Sequence, residues 1–169
     1  MNQTSGTYSW LWDFGDGTGP VAGTADGVDH VFATPGDRTV TLTVNLNGRV
    51  ATVSKVIRIL PGQPTPQIQA TNLSSGTAVV APSIAVAVGD TVVFTDIGAG
   101  PTVESRAWSW SDAAPAGAGP AVQRTFGANG TYILSLVATN ASGGTTVTMT
   151  IVVGTGVAGA GVAGPAVGP

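Results

Sequence analysis

Apolar and polar positions alternate along most of this chain with a period of two. That spacing puts every second side chain on one face of an extended strand. Between positions 8 and 14, Trp10, Trp12 and Phe14 share one face against Ser9, Leu11 and Asp13. Residues 38–45 read RTVTLTVN, with Val40, Leu42 and Val44 on one face and threonines on the other. Asn47-Gly48 is a hairpin signal, and residues 50–60 form the return strand. A short strand is predicted over 28–32, followed by a turn at 33–37. Beyond the proline-rich stretch 61–66, strands are predicted at 67–70, 83–88, 91–95, 106–110, 122–126, 131–139 and 145–153. From Gly154 onward only Gly, Ala, Val and Pro occur apart from Thr155, a low-complexity tail.

The pattern repeats. Trp12, Phe14 and Asp16 match Trp108, Trp110 and Asp112. Val28, His30 and Phe32 match Val122, Arg124 and Phe126, Gly36 matches Gly130, and Val40 with Leu42 match Leu134 with Leu136. The spacing is 96 residues before the intervening loop and 94 after it. The chain is therefore a tandem of one module. It divides into residues 1–60, a stiff joint at 61–66, residues 67–153 and a tail at 154–169.

Trp12-Asp13-Phe14-Gly15-Asp16-Gly17-Thr18 is a strand running into a tight turn, glycine accepting positive φ and aspartate bonding its own backbone. This motif resembles the signature of the PKD (polycystic kidney disease repeat) domain, an immunoglobulin-like β-sandwich of cell-surface and secreted proteins. The second copy reads Trp108-Ser109-Trp110-Ser111-Asp112-Ala113 and joins the resemblance through the repeat. The resemblance implies an all-β chain of two sandwich modules, with Trp10, Trp12, Trp108 and Trp110 plugging their cores. It also implies an extracellular, non-catalytic role, either structural or as a polymer- or glycan-binding accessory of a larger secreted hydrolase or adhesin.

The two copies are unequal. Between Pro61 and Trp108 lie the opening strands of the second module, whereas only 11 residues precede Trp12. The first module has no counterpart of the strands at 67–70, 83–88 and 91–95. A sandwich without its opening strands exposes core side chains and an unpaired edge. Six to eight uncovered apolar side chains forfeit on the order of 10–20 kcal/mol, as much as the whole net stability of a domain. Three remedies present themselves: strands from a neighbouring molecule, a spare segment of the same chain, or a place within a longer tandem array. The first joins copies head to tail into a fibre. Candidate donors are residues 77–88 and the tail at 157–167, whose valines recur every five residues rather than every two.

Composition narrows the rest. Charged residues make up 9% of the chain, with a single lysine, Lys55, and a single glutamate, Glu104, which favours β structure over helices with solvated faces. The net charge of −3 offers no basic footprint for nucleic acid. With no cysteine, disulfides, thiol catalysis and thiolate metal sites are excluded. No apolar run is long enough for membrane insertion, and no secretory leader is visible after Met1. His30, the single histidine, lacks partners for a catalytic triad or a zinc site. Asp13, Asp16, Asp26, Asp29 and Asp37 form an acidic cluster of the kind calcium favours, without EF-hand spacing. Four Asn-x-Ser/Thr triplets, at Asn2, Asn72, Asn129 and Asn140, are candidate glycan acceptors.

Overall fold

The computed structural model describes residues 8–23, 27–80 and 82–154, and these hold twelve strands and no helix. The chain divides into two compact units, Met1–Pro61 and Gly62–Pro169.

The first unit is one antiparallel sheet. Its strands are β1 (Tyr8–Asp13), β2 (Val21–Gly23), β3 (Gly36–Leu46) and β4 (Arg49–Ile59), in the order β2-β1-β3-β4. The β3–β4 hairpin turns at Asn47 and Gly48, both at positive φ (50° and 82°), with the Gly48 N–H donating to Asn45 Oδ1 at 2.9 Å. Register sets Trp12 beside Leu42 and Leu42 beside Val53, so one face carries the large apolar side chains. The other face is threonine-rich, and Thr41 Oγ1 lies 2.9 Å from Ser54 Oγ across the hairpin.

The second unit has two sheets. Its strands are β5 (Ile68–Asn72), β6 (Ala78–Val80), β7 (Ser83–Ala87), β8 (Thr91–Asp96), β9 (Ser105–Trp110), β10 (Ala121–Thr125), β11 (Gly130–Asn140) and β12 (Gly143–Gly154). One sheet runs β10-β8-β5-β6 and the other β7-β12-β11-β9. Both contribute to a single core. Ile68, Val92 and Phe94 come from the first sheet, and Trp108, Trp110, Leu134, Leu136, Met149 and Ile151 from the second. All strand pairs are antiparallel except β7, which runs parallel to β12 from Ser83–Thr150 to Ala87–Gly154.

Three expectations need correction. Residues 28–32 form no strand, and Val31 is 87% exposed. Their counterpart β10 is a strand because β8 pairs with it, Val122 opposite Phe94; the described part of the first unit has no equivalent of β8. The stiff joint expected at 61–66 is not separate from the second unit beyond Pro61. Pro64 is fully buried, and Asn140 Nδ2 donates to Gly62 O at 2.8 Å, so residues 62–66 pack as part of the second unit. Residues 77–88 are not spare either, since β6 and β7 already belong to the second unit's sheets. The other candidate donor, residues 157–167, lies outside the described residues, as does Asn2.

Candidate functional site

The two units share a local chemistry at the end of the aromatic strand. In the first, the Gly15 N–H donates to Asp13 Oδ1 at 2.9 Å, and Gly15 holds φ at 66°. A Cβ there would sit 2.5 Å from Thr39 O, so the motif glycine is required sterically as well as conformationally. Asp16 Oδ2 lies 2.7 Å from His30 Nε2, and Thr18 Oγ1 donates to Asp16 Oδ1 at 2.7 Å. Hydrogen bonds from Thr18, and then from His30, hold the Asp16 carboxyl down at about 2. The His30 ring stacks on Phe14 with centroids 3.8 Å apart.

In the second unit Asp112 and Arg124 occupy the same two positions. Arg124 Nη2 donates to Asp112 Oδ2 at 2.6 Å, and this bond holds the Asp112 carboxyl down at about 2. The guanidinium lies 4.6 Å from the centre of the Trp110 ring. Histidine in one copy and arginine in the other thus do the same work. Each ties the turn after the aromatic strand to the segment carrying Phe32 or Phe126. His30 has a structural partner here, and Asp16 is already committed to it.

Above these turns the units diverge. In the second, Trp108 and Trp110 are 5% and 7% exposed, and Trp108 Nε1 donates to Gly119 O at 3.0 Å. The opposite sheet closes over them. In the first, nothing among the described residues covers the matching face. An apolar cavity of about 300 Å³ is lined there by Trp12, Phe14, Phe32, Val40, Leu42, Val53, Lys55 and Ile57. Among the described residues, Phe14, 7% exposed, is the one hydrophobic side chain of this unit that is buried, and Trp10 and Trp12 remain partly exposed. Tyr8, 56% exposed, stacks against Trp10 with centroids 6.1 Å apart.

The sheet edge is open as well. In the second unit the Thr150 N–H donates to Pro82 O at 2.9 Å at the start of the β7 pairing. The 94-residue offset maps residues 150–154 of β12 onto residues 56–60. No strand lies beside that stretch of β4 among the described residues. Among the described residues, the first unit thus has no strand beside this edge and none over this face.

The remaining candidates are dispersed or engaged. No three His, Asp or Glu side chains come together in a metal-holding group among the described residues, and Asp26 lies outside them. Asn72 and Asn140 are unsuited as glycan acceptors, being 4% and 5% exposed. Asn72 Nδ2 donates to Asp90 Oδ2 at 2.7 Å while its Oδ1 accepts the Ser74 N–H at 2.8 Å. Asn140 bonds Gly62 and Thr102 carbonyls and accepts the Ser142 N–H. Asn129 is exposed.

A family model of the PKD domain matches residues 1–60 and again residues 74–154. The chain belongs to the PKD domain family. Immunoglobulin-like modules of this kind are generally non-catalytic and typically extracellular, in adhesion and structural roles. Solved structures similar to the chain include the N-terminal four immunoglobulin domains of Dscam1 isoform 6.9, at a TM-score of 0.46 and 17% identity, over 89% of this chain and 38% of that one. The same region of Dscam1 isoform 7.44 aligns at a TM-score of 0.43 and 16% identity, over 88% of this chain and 38% of that one. The N-terminal eight immunoglobulin domains of DSCAM isoform 1.30.30 align at a TM-score of 0.40 and 14% identity, over 91% of this chain and 19% of that one. The chain thus spans well under half the length of these structures. No curated protein matches the sequence.

Proposed function

We propose that this PKD tandem is a non-enzymatic extracellular structural protein, a building block of a surface fibre, stalk or matrix. Its first unit is an acceptor, completed by β-strands from a neighbouring polypeptide. One donated strand pairs parallel with β4 along residues 56–60, as β7 does with β12. Its alternate apolar side chains, with those of a second strand, cover Trp12, Phe14, Leu42 and Ile57. The observation that carries this reading is the open apolar cavity over the first sheet, set against the sealed core at the same positions of the second. Such a joint is long-lived, because release uncovers both the main-chain edge and the apolar face. If each chain both donates and accepts, the contacts do not close and a fibre grows.

The test is the size of the purified chain against concentration, by light scattering and electron microscopy. The chain alone is expected to stay small, with a first unit less stable than its second, and to grow into linear particles when a partner that donates the strand is added. A monodisperse monomer whose first unit is as stable as its second defeats the reading.

A second reading is favoured by the aromatic row along β1, where Tyr8 stacks on Trp10 and Trp12 on Phe14. Such a row is a platform for sugar rings, as in a polymer- or glycan-binding accessory module. Pull-down on chitin, cellulose and collagen separates the two. Loss of binding in Tyr8→Ala and Trp10→Ala chains supports the platform, and unchanged binding removes it. Trp108 is buried and has no place in that test.

A further inference from the structure

Of the cationic residues on the uncovered face, one lines the cavity. Lys55, the single lysine of the chain, stands opposite Val40 and lines the cavity. Its counterpart is Met149, which stands opposite Leu134 and has no exposed surface. Sealing the first unit as the second is sealed carries the Lys55 side chain into the place of a core methionine. An ammonium group left alone there is strongly disfavoured, whereas one facing a carboxylate is accommodated. The way out along the β4 edge is the line that the donated strand takes, since the vacant pairing begins at residue 56.

Among the described strand residues of this unit, none supplies the carboxylate on this face. Register places Arg38, Arg49 and Lys55 on the apolar face and Asp13 and Asp37 on the other. Two copies packed face to face would bring together two faces that each carry these cations and no strand carboxylate. The tail, residues 155–169, contains no acidic residue.

We infer that the segment completing the first unit is an acidic β-segment of another polypeptide: an extended stretch of alternating apolar residues with one inward-facing Asp or Glu that pairs with Lys55 Nζ. This rests on the strand-completion reading. It makes Lys55 the residue that selects the partner, because a wholly apolar strand that suits the second unit leaves the lysine unpaired in the first.

The probe is a synthetic peptide of residues 82–95, which carries β7 and β8, added to the full chain. Versions carry Asp or Asn at one of the inward positions Ile84, Val86, Val92 and Phe94, each buried in the second unit. For the position that meets Lys55, the Asp peptide binds at least about tenfold more tightly than its Asn twin. Lys55→Arg keeps that preference. Lys55→Met abolishes it and binds the unaltered peptide more tightly than the native chain does. Equal binding of Asp and Asn twins at all four positions, or a preference that survives Lys55→Met, overturns the inference and leaves strand completion standing. Failure of every peptide to bind any of the chains overturns both.

Discussion

Leu42 and Leu136 occupy the same place in the repeat, beside Trp12 and Trp108 respectively. Leu136 has no exposed surface, while Leu42 is only partly buried and lines the open cavity. Truncation to alanine therefore has unequal consequences. Leu136→Ala removes a fully packed side chain and leaves an enclosed void, at a cost of about 2–5 kcal/mol. Leu42→Ala leaves no new enclosure, because the site already faces solvent, and only part of a transfer free energy of about 1.5–3 kcal/mol is at stake. A loss of about 1 kcal/mol or less is expected in the dilute chain. Urea unfolding followed by two-dimensional amide NMR reports each unit separately. The second unit should lose stability sharply in Leu136→Ala, and the first should change little in Leu42→Ala. In assembled material the Leu42 effect should rise toward that of Leu136. Equal losses from the two substitutions in dilute monomer would show that the first face is already covered, and the reasoning from the missing strands would fail.

Proline at the edge separates assembly from folding. The Val56 N–H corresponds to that of Thr150 and faces the vacant edge, so Val56→Pro should abolish polymer growth while the β3 pairing persists; Thr150→Pro should unfold the second unit. Light scattering with amide NMR checks both, and unimpaired growth of Val56→Pro would refute the edge mechanism. Asp16 and Asp112 have folded-state values near 2, below the ordinary carboxylate range. The stability they contribute is present above about pH 4 and is lost as pH falls toward 2. Acid unfolding of the second unit in Asp112→Asn should lack this component, and superimposable acid profiles would contradict it. Expressed in a glycosylating host, the chain should carry no glycan at Asn72 or Asn140; glycopeptide mass spectrometry finding either occupied would overturn the burial argument.

Much of this molecule was legible in its sequence, for identifiable reasons. Period-two alternation found the long strands because their faces differ sharply in polarity. The repeat located Trp12 against Trp108 and raised the expectation that the first sheet lacks the strands that cover the second. The same alternation misled at residues 28–32, where the pattern is that of a strand but the partner that makes one is missing. Strand identity there is a property of the pair, not of the segment. The three-residue strands β2 and β6 were too short to carry a period. Asn72 and Asn140 satisfied a glycan triplet, yet their amides bond the backbone of the turns that they begin. The pairing of His30 with Asp16 was implicit in the repeat, since each has an ionic counterpart at Arg124 and Asp112. Lys55 could have been found by carrying the 94-residue offset into the return strands, where it falls on Met149.

On the proposed reading, the first sheet keeps a vacant edge and face until another polypeptide fills them. Amide hydrogen exchange along β4 tests this most directly. In dilute monomer, the Val56 and Arg58 amides should exchange far faster than those of Thr150 and Val152, which face β7, and they should become protected on assembly or on binding a donor peptide. Protection of Val56 and Arg58 equal to that of Thr150 and Val152 in the monomer would contradict the account.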